Sequence, residues 1–420
     1  MAERRLDLDD DALLEAVQRQ TFRYFWDFGH PASGLARERS TAAFGYGPEV
    51  VTTGGSGFGA MAIVIGAERG WVTRQEASGR LLRSVRFLAR ADRYHGVFPH
   101  FLHGATGRTI PFSRKDDGGD LVETAFLIAG LLCARQYFDR DNATEGALRH
   151  LIDRLWLEVE WSWHTRDGSD VLYWHWSPNH GWSMNHEIRG WDEALIAYVL
   201  AAGSPEHPIS PEVYHLGWAR GQSFGNGRSY HGITLPLGRD HGGPLFFAHY
   251  SFLGLDPRGL LDRYADYWQQ NVSHTLINRE HCIRNPQRFE GYGADCWGLT
   301  ASDDPAGYRS HAPDHDNGVI APTAAVASLP YTPEHSMAAL RHFYRDLGDR
   351  IWGEYGFKDA FDLTRDWYAP SYLAIDQGPI IAMIENHRSG LLWRLFMSCP
   401  EVSAGLTTLG FESPHLRAEV

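Results

Sequence analysis

The sequence predicts an all-α protein, an (α/α)6 toroid that occupies residues 1–420 as a single domain. Three observations lead there. Apolar residues recur at helical spacing in one segment after another, and period-2 runs of the kind that make strands are few. No Gly/Ser/Pro-rich or low-complexity linker divides the chain. With 43% hydrophobic residues there is ample material for a core, and 420 residues exceed the roughly 100–200 of an ordinary domain. About a dozen helices with no boundary between them pack most simply as an inner ring with an outer ring behind it.

Segments 13–28 and 58–70 open the helical series. The second is entered through Gly54-Gly55-Ser56-Gly57-Phe58-Gly59, which without a preceding strand or a lysine is weak support for a phosphate loop. Segment 74–91 places Arg80, Arg83, Arg86 and Arg90 at helical intervals. Segment 121–138 follows Asp116-Asp117-Gly118-Gly119-Asp120-Leu121-Val122-Glu123. There Asp120 and Glu123 read first as a capping box and second as two acids on one helical face, with Asp116 in the loop before them. Segment 145–163 alternates partly at its end, but a helix explains it as well.

Segment 193–202 is entered through Trp182-Ser183-Met184-Asn185-His186-Glu187-Ile188-Arg189-Gly190-Trp191-Asp192-Glu193. Asp192 and Glu193 fall in its first turn, where acids meet the positive end of the helix dipole. The dipole accounts for an acid but not for Trp182, Asn185, His186 and Trp191 around it. A carboxyl desolvated by indoles has a raised pKa and can serve as a general acid. Segments 260–275, 336–347 and 380–397 complete the series. The last is entered through Tyr372-Leu373-Ala374-Ile375-Asp376-Gln377-Gly378-Pro379, with Asp376 as N-cap and Pro379 in the first turn; capping and catalysis explain Asp376 equally well.

Composition excludes several functions. The net charge is −13 and the lysines are Lys115 and Lys358, so no basic stripe for nucleic acid exists and a neutral partner fits better than an anionic polymer. The longest apolar runs fall short of the ~20 residues of a membrane span. Met1–Asp7 lacks the apolar core of a signal peptide, so the chain as written reads as cytoplasmic; the alternative is a periplasmic or secreted protein whose leader has been removed. Cys133, Cys282, Cys296 and Cys399 show no metal spacing; Cys133 reads as an inert buried thiol, and Cys282 with Cys296 is a pairing that nothing requires. The loop His311-Ala312-Pro313-Asp314-His315-Asp316-Asn317-Gly318 lacks the spacing of a calcium loop. It reads as a polar cleft loop with Asp316 or Asn317 capping the next helix. GxSxG, GxxxxGK[ST] and HExxH are absent. No metal or cofactor is expected, and the chain is expected to act as a monomer.

What the composition favours is sugar. Aromatic residues make up 13% and tryptophans number 15, several of them among polar residues as in Trp174-His175-Trp176-Ser177-Pro178. Flat aromatic faces in polar loops are what sugar rings stack on, although most buried indoles are core.

Four long runs carry a resemblance: GYGADCWGLTASDDPAGY (291–308), DNGVIAPTAAVASLPYTPEHSM (316–337), WGEYGFKDAFD (352–362) and YLAIDQGPIIAMIENHRSGLLWRLFM (372–397). With DLVETAFLIAGLL (120–132), the segment 182–202 and FFAHYSFLGLDPRG (246–259), they resemble the family once labelled "putative glucoamylase". It is now grouped as glycoside hydrolase family 144, the bacterial β-1,2-glucanases. The resemblance spans residues 21–400. It implies an (α/α)6 barrel and hydrolysis of β-1,2-glucan with inversion. The family's acidic cluster matches Asp116, Asp120 and Glu123 with the 4-then-3 spacing kept, its later glutamate Glu193, and its C-terminal aspartate Asp376.

On that resemblance Glu193 is expected as general acid and Asp376 as general base, roughly 6.5–9.5 Å apart or farther if a water or substrate hydroxyl relays the proton. Trp182, Trp191, Trp297 and Asn317 are expected to contact the glucan. The chain departs from the family in lacking an export signal, which leaves polymer, imported oligosaccharide and cyclic glucan all open as substrates. A lyase would need cationic groups for a uronate, and an inactive carbohydrate-binding protein would not need three acidic clusters.

Overall fold

The computed structural model describes residues 4–42, 47–220 and 224–416. The helices come in order as α1 (Asp10–Trp26), α2 (Thr53–Glu68), α3 (Arg74–Leu88), α4 (Leu121–Tyr137), α5 (Ala143–Leu157), α6 (Leu195–Gly203) and α7 (Tyr267–Arg284). There follow α8 (Pro322–Val326), α9 (Pro333–Arg345), α10 (Gly348–Ile351), α11 (Ala374–Arg388), α12 (Leu391–Met397) and α13 (Pro400–Thr408). Largely helical structure is what the sequence predicts.

The helices form two tiers, distinguished by their sequences. α2 is buried from Thr53 through Gly66, α4 from Leu121 through Ala134 and α6 along its whole length. A helix apolar on all sides has to be interior. α3 instead buries Ala77, Leu81, Leu82, Val85 and Leu88 while Arg83 and Arg86 face water. α2 packs against α4 and α11, α4 against α6, and α11 against α8; α1, α3, α5, α9 and α13 lie behind them.

The glycine-rich run is buried as the contact surface of α2. A Cβ on Gly57 would lie 2.1 Å from the Phe126 carbonyl oxygen, and one on Gly130 would lie 2.0 Å from that of Gly57. Bare backbone on both helices lets their axes approach closely.

Short strands sit at the N-terminal ends of the inner helices. β1 (Val50–Thr52) pairs with β2 (Phe101–His103), which pairs with β3 (Thr109–Ile110), all antiparallel. β4 (Gly119–Asp120) pairs with β5 (His175–Trp176) and sets Asp120 opposite His175. β6 (Ser229–Tyr230) and β7 (Ile233–Thr234) form a small hairpin, and in the hairpin of β8 (Ala301–Asp304) and β9 (Gly307–Ser310) Asp303 faces Tyr308. β1 and β4 run straight into α2 and α4.

Several boundaries differ from expectation. Segment 260–275 is loop until Asp266, whose carboxylate accepts from the Gln269 N–H at 3.1 Å and starts α7. Segment 145–163 ends its α-helix at Leu157 and resumes as a 3-10 turn, Trp161–Thr165. Segment 380–397 begins earlier, at Ala374, and breaks at Gly390, whose φ of 68° no helix accommodates. Asp376 is therefore no N-cap: Leu373 holds that position, and Pro379 lies inside α11 instead of in its first turn. Asp192 and Glu193 precede α6, whose N-cap is Ala194. The four cysteines are buried and free. Among the described residues no helix is long and apolar enough to cross a membrane.

The glycine contact predicts opposite effects for two similar substitutions. Gly130→Ala drives a methyl into the α2 backbone and is expected to cost about 1–3 kcal/mol or more. Gly146→Ala, in α5 with open space around it, is expected to stabilise by about 0.5–1 kcal/mol. Chemical unfolding of the two variants checks the pair.

Candidate active site

A cavity of about 440 Å³ opens where the inner helices begin. Its wall takes Thr52, the N-cap of α2, Glu123 from the first turn of α4, Glu193 from just before α6, and Leu373 and Ile375 from the start of α11. His100 and Phe101 come from the approach to β2, Phe112 and Trp174 from loops, Phe246 and Tyr250 from the turns before α7, and Ala301 and Tyr308 from the β8–β9 hairpin. Phe112 and Tyr308 are 49% and 45% exposed, aromatic faces that water does not hold. Glu38 and Arg39 complete a polar side.

Asp120, fully buried, anchors one acidic group. It accepts from the Glu123 N–H at 3.0 Å as an N-cap, from Trp174 Nε1 at 3.0 Å and from His100 Nδ1 at 2.9 Å. Half of the expected capping box is present: Glu123 does not turn back to Asp120 but crosses to α2, accepting from the Gly54 N–H at 2.7 Å. His175 Nδ1 lies 3.3 Å from Asp116 Oδ2. Burial works against charge on Asp120, yet the His100 hydrogen bond and the nearby His175 hold its carboxyl below the usual range. Burial pulls His100 down, but Glu123 and Asp120 outweigh it and push the imidazole up to about 9. Burial raises Glu123 above its ordinary value.

Asp116, Asp120 and His175 bring ligand atoms within 4.8 Å of one another and are the set that a divalent cation would use. Two of these atoms also lie in ion pairs, Asp120 with His100 at 2.9 Å and Asp116 with His175 at 3.3 Å.

Glu193 differs. It is half-buried on the cavity wall, and among the described residues no other side chain hydrogen-bonds its carboxyl. Burial, then the neighbouring Asp192, push it well above the ordinary glutamate range. Asp192 is itself pushed up to about 7 by burial, while accepting from the Ala194 N–H at 2.8 Å.

Asp376 sits behind this wall, 2% exposed, with Oδ2 sealed and unpartnered. Burial, then Asp359, raise it far above the usual aspartate value.

The structure thus puts Glu123 and Glu193 on one cavity wall, with Asp120 buried beneath the lining residues His100 and Trp174, Asp116 beside His175, and Asp376 buried on α11. It does not bring the four expected substrate contacts to the wall. Trp297 is 0% exposed and belongs to the core. Trp191 is 4% exposed against Trp218, Phe252 and Tyr267. Trp182 is half-buried against Trp163, Tyr173 and His164. Asn317 donates to Asp304 Oδ2 at 3.1 Å. In each case the side chain is engaged with protein instead. Asp316 braces its loop, accepting from His281 at 2.9 Å and Tyr292 at 2.8 Å, and caps no helix.

The cavity residues not singled out from sequence are His100, Arg39, Glu38, Phe101 and Phe112, isolated side chains without a motif, and Phe246, Tyr250 and Tyr308, which lie inside the runs that carry the resemblance. Trp174, by contrast, carried the signal of an indole in a polar run.

Comparison with known proteins agrees in fold and family. The family model described as "Putative glucoamylase" matches residues 185–400. An exo β-1,2-glucooligosaccharide sophorohydrolase (non-reducing end) of Parabacteroides distasonis is 48% identical over 95% of this chain; the chain spans 58% of that protein's length. A crystal structure of a putative glucoamylase from Bacteroides uniformis is 60% identical, covering 99% of this chain and 100% of that one with a TM-score of 0.96. An endo-β-1,2-glucanase from Chitinophaga pinensis, in complex with sophorotriose and glucose, is 55% identical, covering 97% of this chain and 100% of that one with a TM-score of 0.95.

The His100 network predicts an alkaline loss of stability. A raised folded pKa contributes fully below the unfolded value of about 6.5 and is lost as pH climbs through the folded value. Wild-type stability should fall between about pH 6.5 and 9, and His100→Gln should flatten that decline. Unfolding midpoints across the window, wild type minus variant, measure it.

Proposed function

The chain belongs to the putative glucoamylase family, and from that premise we propose a glycoside hydrolase that cleaves β-1,2-glucan with inversion, acting endo on an (α/α)6 toroid. Glu193 carries the reading: a half-buried carboxyl on the wall of an aromatic cavity, unclaimed by any described side chain and raised by burial. A protonated acid so placed can donate to the glycosidic oxygen as the bond breaks. Phe112, Trp174 and Tyr308 offer ring faces to glucosyl units, and the acidic lining suits a neutral chain.

Asp376 acts as the base that takes a proton from the attacking water. Its carboxyl is set back from the wall, so the transfer runs through a relay, a water or a substrate hydroxyl. Asp120 and Glu123 hold the wall in shape, and the chemistry needs no metal or cofactor. The proximity to the curated sophorohydrolase favours a second reading, release of sophorose from non-reducing ends.

Glu193→Gln and Asp376→Asn are each expected to lower kcat on the order of 10²–10⁴-fold with normal folding; near-normal turnover in either would remove it from the mechanism. Linear β-1,2-glucan should yield sophoro-oligosaccharides newborn as the α-anomer by NMR. Sophorose alone from the first minutes would select the exo reading, and no release at all would overturn the substrate.

A further inference from the structure

Glu193 has to meet two demands that pull against each other. A group that delivers a proton must be held within about 0.5 Å of its working position, since a misplacement of about 1 Å can cost ~10²-fold in rate. Yet among the described residues no side chain bonds its carboxyl, and a fixed hydrogen bond there would shift the affinity for the proton it has to carry. The placement of the acid therefore has to come from its backbone.

That backbone is irregular. Glu193 precedes α6, whose N-cap, Ala194, has no side chain that can cap a helix. Asp192 takes the Ala194 N–H, and Ser251, far along the chain, takes the next part of the demand. The Ser251 hydroxyl accepts from the Ile196 N–H at 3.1 Å and donates to the Glu193 carbonyl oxygen. One hydroxyl thus spans residues 193–196, where the chain passes from loop to helix, and Ser251 is fully buried.

The anchor is itself held from two sides. Ser251 opens a 3-10 turn, Ser251–Leu253. The Phe252 carbonyl accepts from Trp393 Nε1 at 2.8 Å, and the Leu253 carbonyl accepts from Asn386 Nδ2 at 3.0 Å. Those donors belong to α12 and to α11, the helix that carries Asp376. On the other side of Ser251, the Tyr250 ring lines the cavity and packs on Phe58 of α2, Phe126 of α4 and Phe246, with centroids 5.5, 5.7 and 5.0 Å away. Ser251 therefore ties the Glu193 backbone to the helices that build the cavity wall.

We propose that Ser251 is the positioning residue of Glu193: its hydroxyl clamps the turn over residues 193–196 and fixes where the carboxyl stands on the wall. The inference rests on Glu193 being the acid proposed above. Without the clamp a carbonyl and an N–H at the start of α6 lose their partner, and the turn shifts to find others. The carboxyl moves with the turn, and proton delivery suffers more than binding.

A double-mutant cycle on linear β-1,2-glucan tests this. Ser251→Ala should lower kcat about 10–100-fold with KM changed less than about threefold. In the Glu193→Gln background the same substitution should cost less than about threefold further, because the group it positions is already disabled. Losses that multiply in full would show Ser251 acting independently of Glu193 and overturn the inference. Near-normal turnover of Glu193→Gln alone would overturn the acid reading, and the inference with it.

The dinitrophenyl β-glycoside of sophorose gives a second readout, since its phenolate leaves without a proton. Ser251→Ala should hydrolyse it within about threefold of wild type; a loss as large as that on the glucan would mark a structural defect and overturn the inference. Ser251→Cys, close in size but a weak donor and acceptor, should show the same pattern with a smaller loss. Failure of both variants to fold would assign Ser251 to stability alone and overturn the inference.

Discussion

Inner-helix N-termini open into one cavity, and every helix start carries backbone N–H groups that its own turns cannot satisfy. α2, α4, α6 and α11 all begin there, and acids meet much of that demand. Asp120 closes the start of α4 and Asp192 the Ala194 N–H before α6. Glu123 leaves its own helix to take the Gly54 N–H of α2, a cap delivered across an interface. That reach depends on the Gly57–Gly130 contact, because a methyl on either residue would push α2 and α4 apart. Capping and site construction are therefore one constraint here, and a carboxylate that serves a helix start also faces the cavity.

The same constraint creates an electrostatic problem, and the protein solves it in two ways. On the side of Asp116 and Asp120, His100 and His175 supply compensating charge, so Asp120 stays ionised despite full burial. Among the described residues no imidazole pairs with Glu193 or Asp376, and burial drives both toward the protonated form. Acids of one chemical kind thus divide into fixed anions and proton carriers according to what surrounds them. The division follows partner placement: β5 brings His175 opposite Asp120, while the loops around Glu193 bring Asp192, another acid.

How much of this was legible in the sequence follows from the same physics. Long helices such as α1 and α3 announce themselves because a periodic apolar stripe repeats over several turns, and α4 by a long unbroken apolar run. The five-residue α8 and the Gly390 break do not, since one turn or one φ value leaves no period to read. Asp120, Glu123, Glu193 and Asp376 were legible because each lies in a recognisable helix-start motif, even where the cap itself falls elsewhere, as at Leu373 in place of Asp376, whereas Glu38 lies in no such motif. The aromatic wall was misread. Trp297 stands among polar and small residues, but Gly298 at φ 132° turns the chain against Ala324 and the indole goes inward. His100 and Arg39 were invisible because tertiary pairing alone gives them a role.

The contrast between Glu193 and Asp376 bears on what kind of hydrolysis this site supports. An acid that protonates a leaving oxygen has to reach it directly, and Glu193 lies on the wall with a carboxyl that other side chains leave alone. A nucleophile forming a covalent glycosyl intermediate would need the same openness, and Asp376, with Oδ2 sealed, does not have it. A base set behind the wall can act on water or on a hydroxyl between itself and the sugar, and room for that molecule is what separates inverting from retaining geometry. On the roles proposed above, the burial of Asp376 fits inversion, and it makes the protonation state of Asp376, more than its reach, the quantity its surroundings have to control.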